Sequence, residues 1–406
     1  MGTTVTEFIK KNIPQCIKRT KGISAPYTVP CVGEGFIHFY YWDTYFTNIA
    51  MLAYKPEQAK NNLAAFRHFV RKYGFIPNAE HITDRSQPPL YTRAVYDYYR
   101  TTGDVAELKR NYAYMLREHS FWMEKRTTSV GLNRYYNEGD GNFCKGFFYG
   151  VADNRIALDV SGCTDPEREG RNLLAIAESG WDFNPRYKTE YSDFACIDFA
   201  PVDLNCILYD AEQKLAEFSA VLGKTGNARK FAQAARRRAA LIREYMKGKD
   251  GIYRDYNFVT GECSRILSVA SLMPFAVGLE KDKVALLAVL DRLQAEWGVL
   301  TCEARKDCEN FYQWDYPNMW PPMIYFVLQA LLENGLFAQA RKVASDYVAL
   351  VDKCFSETGN LWEKYDVVNG SVAVCPEYET PPMVGWTAGV YVLCKQLLSE
   401  EAQPTS

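Results

Sequence analysis

Residues 201–248 read PVDLNCILYDAEQKLAEFSAVLGKTGNARKFAQAARRRAALIREYMKG. Leu204, Ile207, Leu208, Ala211, Leu215 and Phe218 recur at the spacing that lays one apolar stripe along a helix, predicted over 201–222. Pro201 suits its first turn, where no amide hydrogen is needed. Gly223-Lys224-Thr225-Gly226 breaks the pattern, and a second helix, dense in Ala and Arg, is predicted from about 227 to 247, stopping near Gly248 and Gly251. Two helices joined by so short a turn form an αα-hairpin.

The same device recurs on both sides. A helix near 88–101 ends at Thr102-Gly103-Asp104 and another follows over about 105–126. A helix near 317–335 breaks at Asn334-Gly335 and resumes to about 353. A hairpin unit of roughly 60 residues repeated along the chain implies about a dozen helices. Strand alternation is scarce; Gly251–Tyr256 fits a short hairpin in a connection. A toroid of six hairpins buries one face of each helix and leaves loops at one rim free to build a funnel. A helical solenoid is the alternative, but no fixed period of about 33–47 residues is present. No Pro/Gly/Ser-rich linker divides the chain, so residues 1–406 read as one domain, with 1–24 a helical arm and 396–406 a flexible tail.

Composition is globular, with 48% hydrophobic, 24% charged and 14% aromatic residues. So many aromatics build either a thick core or a cleft whose walls stack on sugar rings. A net charge of −2 provides no field for nucleic acid or an anionic membrane. No secretory leader and no apolar run of ~20 residues is visible. The 12 cysteines are scattered without a CxxC pair and only four histidines accompany them, which argues against zinc and for buried thiols in the cytoplasm. No nucleic-acid or membrane partner is expected, and the chain is read as a monomer or weak homo-oligomer.

Two carboxyls stand in unusual company. Asp182 lies in ESGWDFNPRY and Glu363 in LWEKYDV. Aromatic flanks strip water from a carboxyl and raise its pKa, as a general acid requires, while its partner must stay ionised to activate water. Asp43 in YYWDTYF and Asp315 in YQWDYPNMW share such surroundings. Any one of these alone reads as well as a helix cap or the partner of an arginine. In RSQPPL, Arg85 can fork onto vicinal hydroxyls, Gln87 can donate and accept, and Pro88-Pro89 begin a helix and stiffen the loop; equally, Arg85 can pair with Asp84 or Glu80.

Taken in order, these segments resemble the trehalase family of glycoside hydrolases. GFIHFYYWDTYF, GFIPN, RSQPP, LNRYY, ESGWDF, PVDLN, QWDYPNMWPP and EKYDV…EY…GWTAGV run from about Tyr27 to Cys394. The resemblance implies an all-α (α/α)6 barrel with short β-hairpins in its loops. It implies inversion, with Asp182 as general acid and Glu363 as general base about 6.5–9.5 Å apart. Substrate-binding residues implied are Phe36, Trp42, Asp43, Asn78, Arg85, Ser86, Gln87, Gly180, Trp181, Gln313, Trp314, Asp315, Glu377 and Trp386. No metal or organic cofactor is implied; the partner is a small saccharide.

The departures bear on specificity. Gly35 stands where the family has Arg and His38 where it has Glu. The RPES segment has no counterpart after LNRYY, and VNGSVAVCP replaces a Gly-rich stretch. Met319 stands where Gly is usual and Pro321 where Ala is usual. Each lost Arg removes charge-assisted hydrogen bonds of about 1.5–3 kcal/mol. The expected activity is hydrolysis of trehalose or a similar small α-glucoside. The alternatives are a related exo-glycosidase on another small glycoside and a non-catalytic sugar-binding protein.

Overall fold

The computed structural model describes residues 3–156, 160–306, 312–373 and 379–399. Their α-helices are, in chain order, α1 (Val5–Asn12), α2 (Tyr41–Tyr54), α3 (Pro56–Tyr73), α4 (Tyr91–Thr102), α5 (Val105–Lys125), α6 (Gly141–Val151), α7 (Pro166–Ser179), α8 (Val202–Val221), α9 (Thr225–Leu241), α10 (Met273–Ala276), α11 (Lys283–Leu293), α12 (Pro321–Glu333), α13 (Phe337–Thr358) and α14 (Gly385–Ser399).

Six of them close a ring: α2 packs on α4, α4 on α8, α8 on α10, α10 on α12, α12 on α14, and α14 back on α2. Helices α3, α5, α9 and α13 pack outside this ring, each against the inner helix it follows or precedes. This is the six-hairpin toroid, not a solenoid. The last contact is the tightest: a Cβ on Gly389 would lie 2.0 Å from the Phe46 carbonyl oxygen, so α14 lies directly on the α2 backbone. One apolar core fills the ring and the space around it. A second core, with Trp122, Tyr135, Phe148, Leu173, Phe183 and Leu208, fastens the α6–α7 hairpin to the side of the barrel.

Sequence chemistry explains the boundaries. Gly103 and Gly180 end α4 and α7 in the left-handed conformation, and Asp104, Asp140 and Asp165 side chains accept the N–H groups that open α5, α6 and α7. Two predicted starts move. The helix expected near 317 begins at Pro321, because the residue before proline is driven out of the helical region; Trp320 is extended, and Asn318–Met319 forms a strand instead. Likewise Pro88-Pro89 precede α4, which starts at Tyr91. The second helix of the decisive hairpin starts at Thr225 and ends in a π-turn, Ile242–Met246. The short hairpin expected at 251–256 is present, with Lys247 bridged antiparallel to Tyr253, and the chain goes on to Tyr256–Asn257, which pairs with Glu262–Cys263 and with Phe199–Ala200. Within the expected N-terminal arm, helical turns span Val5–Cys16, and Ile17–Lys18 pairs with Tyr27–Thr28. Residues 396–399 are the last turn of α14.

Candidate active site

At the end of the barrel where α2, α12 and α14 begin lies a cavity of about 240 Å³. Phe36, Trp42, Asp43, Asn78, Arg85, Gln87, Gly180, Asp182, Gln313, Trp314, Glu363 and Trp386 line it, together with Tyr40, Ile82, Arg155, Ala177, Trp320 and Met383. The sequence reading named the first group and not the second.

Trp42 and Asp43 stand in the first turn of α2. Tyr40 offers that turn no side-chain cap. Gln87 supplies the acceptor: its Oε1 takes the Trp42 N–H at 3.0 Å, which orients the amide and leaves its nitrogen to donate. Asn78 donates through Nδ2 to the Ala177 carbonyl at 3.2 Å, tying its loop to α7. Arg85 pairs with Asp84 at 2.7 Å, as the simpler reading of RSQPPL held, yet it also lines the cavity and its buried Nε has no hydrogen-bond partner.

Asp182 sits where the chain passes between the two cores. Trp181 belongs to the barrel core and Phe183 to the second. Gly180, at φ +73°, lies against the Trp42 indole so closely that a Cβ would come within 2.8 Å of it. Phe183 is left-handed too, at φ +50°. Burial raises the Asp182 pKa, while Arg155 and then Arg85 act in the opposite direction. Arg155 Nη2 lies 3.5 Å from Asp182 Oδ2.

Glu363 enters from the loop after α13. Its side chain is almost fully buried, and Lys364 Nζ lies 2.6 Å from its Oε2. The start of α14 holds this loop: Trp386 Nε1 donates to the Glu363 carbonyl at 2.9 Å, and Thr387 Oγ1 to that of Trp362 at 2.6 Å. Met319 pairs with Tyr365 and Asn318 with Asp366, which sets the Gln313–Trp314 segment beside Glu363. Asp43 is pushed up to about 8, chiefly by burial, with Glu363 and Asp182 adding to the rise.

Five tryptophans form the floor and its support. Trp314 stacks on Trp320 at 3.8 Å and on Trp181 at 5.5 Å, while Trp42 and Trp386 meet them edge-on or tilted.

Three expected residues lie behind the cavity wall. Ser86 is buried, its N–H donating to Glu178 and its hydroxyl to the Ile76 carbonyl. Trp181 is packed between Trp314 and the guanidinium of Arg186, which is itself held by Asp203 and Asp255. Asp315 is forked by Arg305 at 3.0 and 2.7 Å. Each has polar or aromatic character suited to sugar, but its side chain is packed or bonded against protein outside the cavity lining. Glu377 lies outside the described residues. Gly35, at φ +84°, packs on Cys31, and His38 pairs with Glu80 at 2.8 Å.

Arg155 carried no motif. Its signal was position: it is the lone cation between Lys145 and Arg168 on the stretch leading to ESGWDF.

Comparison with known proteins agrees with this architecture. The trehalase family model matches residues 5–399. The chain is 31% identical to the human trehalase, over 91% of this chain and 66% of that protein. It is 30% identical to a periplasmic trehalase of Xanthomonas oryzae, over 92% of this chain and 68% of that protein; it thus spans about two thirds of both. Its fold superposes on the neutral trehalase of Saccharomyces cerevisiae with a TM-score of 0.76 at 21% identity, covering 98% of this chain and 81% of that one. On the match over nearly its whole length, the chain belongs to the trehalase family of glycoside hydrolases.

Proposed function

We propose that the protein hydrolyses α,α-trehalose to two glucose molecules with inversion, Asp182 serving as general acid and Glu363 as general base. The observation that carries this reading is that two carboxyls from distant segments, Asp182 and Glu363, line one aromatic-walled cavity. Asp182, raised by burial, gives its proton to the glycosidic oxygen as the C–O bond breaks. Glu363, whose Oε2 meets the Lys364 ammonium at 2.6 Å, takes a proton from the water that attacks the anomeric carbon.

The remaining groups bind sugar. Protonated Asp43 and the Gln87 amide donate to hydroxyls, Arg85 brings its guanidinium to the cavity wall, and Asn78 offers its carbonyl oxygen. Tryptophan and tyrosine faces take the C–H faces of the rings. Gly35 and His38 leave the arginine and glutamate of the family motif unreplaced at their own positions. The chain works in the cytoplasm; the unpaired thiols of the ten described cysteines support a reducing compartment. No helix among the described residues is long and apolar enough to cross a membrane.

Single substitutions test the roles. Asp182→Asn and Glu363→Gln are each expected to lower kcat on trehalose by about 10²–10⁴-fold while far-UV spectra and melting stay near wild type. Near-normal turnover in either variant removes that residue from its role.

A further inference from the structure

We propose that Arg186 is a positioning residue for this reaction: it clamps Trp181 from behind and anchors the loop after α7 to the start of α8, and so holds the Asp182 carboxyl where it can protonate the leaving oxygen. The inference rests on the acid role given to Asp182 above.

The Asp182 carboxyl meets Arg155 Nη2 at 3.5 Å, longer than a well-formed hydrogen bond. Its place is set by the residues on either side. The Trp181 N–H donates to Ser179 Oγ at 3.1 Å, and the Trp181 carbonyl accepts Asn184 Nδ2 at 2.6 Å. Its ring lies between Trp314, at 5.5 Å, and the Arg186 guanidinium, at 4.3 Å. Phe183, left-handed at φ +50°, turns its carbonyl to the Trp314 N–H at 3.3 Å. Asn184 Oδ1 then accepts the Arg186 N–H at 3.0 Å, which folds the loop back so that Arg186 returns against Trp181.

The clamp itself is fastened to the barrel. Arg186 is fully buried. Its Nε and Nη2 fork Asp255 at 2.9 and 2.6 Å, and Nη2 also reaches Asp203 at 2.7 Å. Asp203 stands in the first turn of α8. Asp255 also accepts the Val202 N–H, which opens α8, at 2.9 Å. The Arg186 carbonyl takes the Ser264 hydroxyl at 2.7 Å. Through one side chain the acid loop is therefore referenced to a helix of the inner ring.

Stability alone does not call for this arrangement. Arg126 and Arg238 each close on one glutamate, Glu178 and Glu212. Arg186 draws two aspartates out of water, and its own Nη1 is buried with no hydrogen-bond partner. Apolar side chains of similar volume often hold a fold as well as a buried ion cluster or better. Departures of this kind from the most stable choice belong to sites where geometry matters. The flat, rigid guanidinium can stack on an indole and fork a carboxylate at once, which fixes the ring it touches. The other face of that ring meets Trp314, which lines the cavity. The stack thus sets Asp182 relative to the wall on which the sugar rests, and a misplacement of about 1 Å there costs about 10²-fold in rate.

Two substrates separate the acid from the base. With trehalose, Asp182 must give a proton to the departing oxygen. With α-glucosyl fluoride the C–F bond breaks and fluoride leaves as the anion without a proton, while Glu363 still takes one from the attacking water. Arg186→Lys, made in the full chain, keeps the charge but not the fork. Its kcat on trehalose is expected to fall about 10²-fold with KM changed by less than about threefold, while its turnover of the fluoride stays within about threefold of wild type. Asp182→Asn should show the same split. Equal losses on both substrates mean a role in folding alone and overturn the proposal, as does unchanged turnover of trehalose. Melting curves check the fold; if Arg186→Lys unfolds, Asp255→Asn, which loosens the fork and keeps Asp203, carries the same comparison with the same outcomes. A split in Asp182→Asn without one in the clamp variant overturns this proposal alone. No split in Asp182→Asn, or no glucose from trehalose with wild type, removes the acid role itself, and the proposal falls with it.

Discussion

Gly180 shows how one residue sets the position of the proposed acid. Its left-handed backbone ends α7, and the face of Trp42 fills the space where a side chain would project. Alanine there meets both a strained φ and a clash, so Gly180→Ala is expected to destabilise the fold by more than ~1 kcal/mol and to lower kcat, because Asp182 follows two residues later. Denaturant unfolding and trehalose kinetics check this; wild-type stability and kcat contradict it. The motif ESGWDF was legible in sequence, and so was the gathering of Trp42, Asp43, Arg85, Gln87, Gln313, Trp314 and Glu363 about it. Which side of the wall each residue faces was not. Ser86, Trp181 and Asp315 look like sugar ligands by type, but Glu178, Arg186 and Arg305, distant in sequence, claim them. Arg155 was hidden because a π-turn changes the phase of a helix without any residue pattern to announce it.

At the scale of elements, the barrel closes through α2 and α14. The spacing of Gly385 and Gly389 places both on one face of α14, where the α2 backbone and Pro30 leave no room for a Cβ. Gly389→Ala is expected to force the two helices apart at a cost of about 1–3 kcal/mol or more, read as a lower denaturation midpoint. Because the same turn of α14 holds the Glu363 loop through Trp386 and Thr387, kcat should fall with it. A variant as stable and active as wild type contradicts the close contact. Hairpins with glycine turns, such as α4–α5, α8–α9 and α12–α13, were readable from periodicity and breaks. By contrast, α10 spans four residues, too few to display a stripe, and the pairing of α6 with α7 in a second core left no periodic trace in FFYG.

For the whole molecule, buried acids couple stability to pH. Glu118 accepts the Tyr41 hydroxyl at 2.6 Å, and burial pushes it up to about 8 against the lowering effect of that bond. An unfolded glutamate titrates near ~4.3. Between these values the folded chain holds a proton that the unfolded chain lacks, so this contribution is fully present below the unfolded value and is lost as pH rises through about 8. Asp43, also raised to about 8, acts in the same sense. The melting temperature is therefore expected to fall from pH 5 to pH 9, and Glu118→Gln should flatten that fall; an unaltered slope contradicts the assignment.

The most direct measurement of the central claim is the anomeric form of the first glucose released from α,α-trehalose, followed by proton NMR before mutarotation. Water attacking opposite the leaving group, as the roles proposed for Asp182 and Glu363 imply, is expected to give equal amounts of α- and β-glucose at the start. α-Glucose alone, or no glucose from trehalose, contradicts the account.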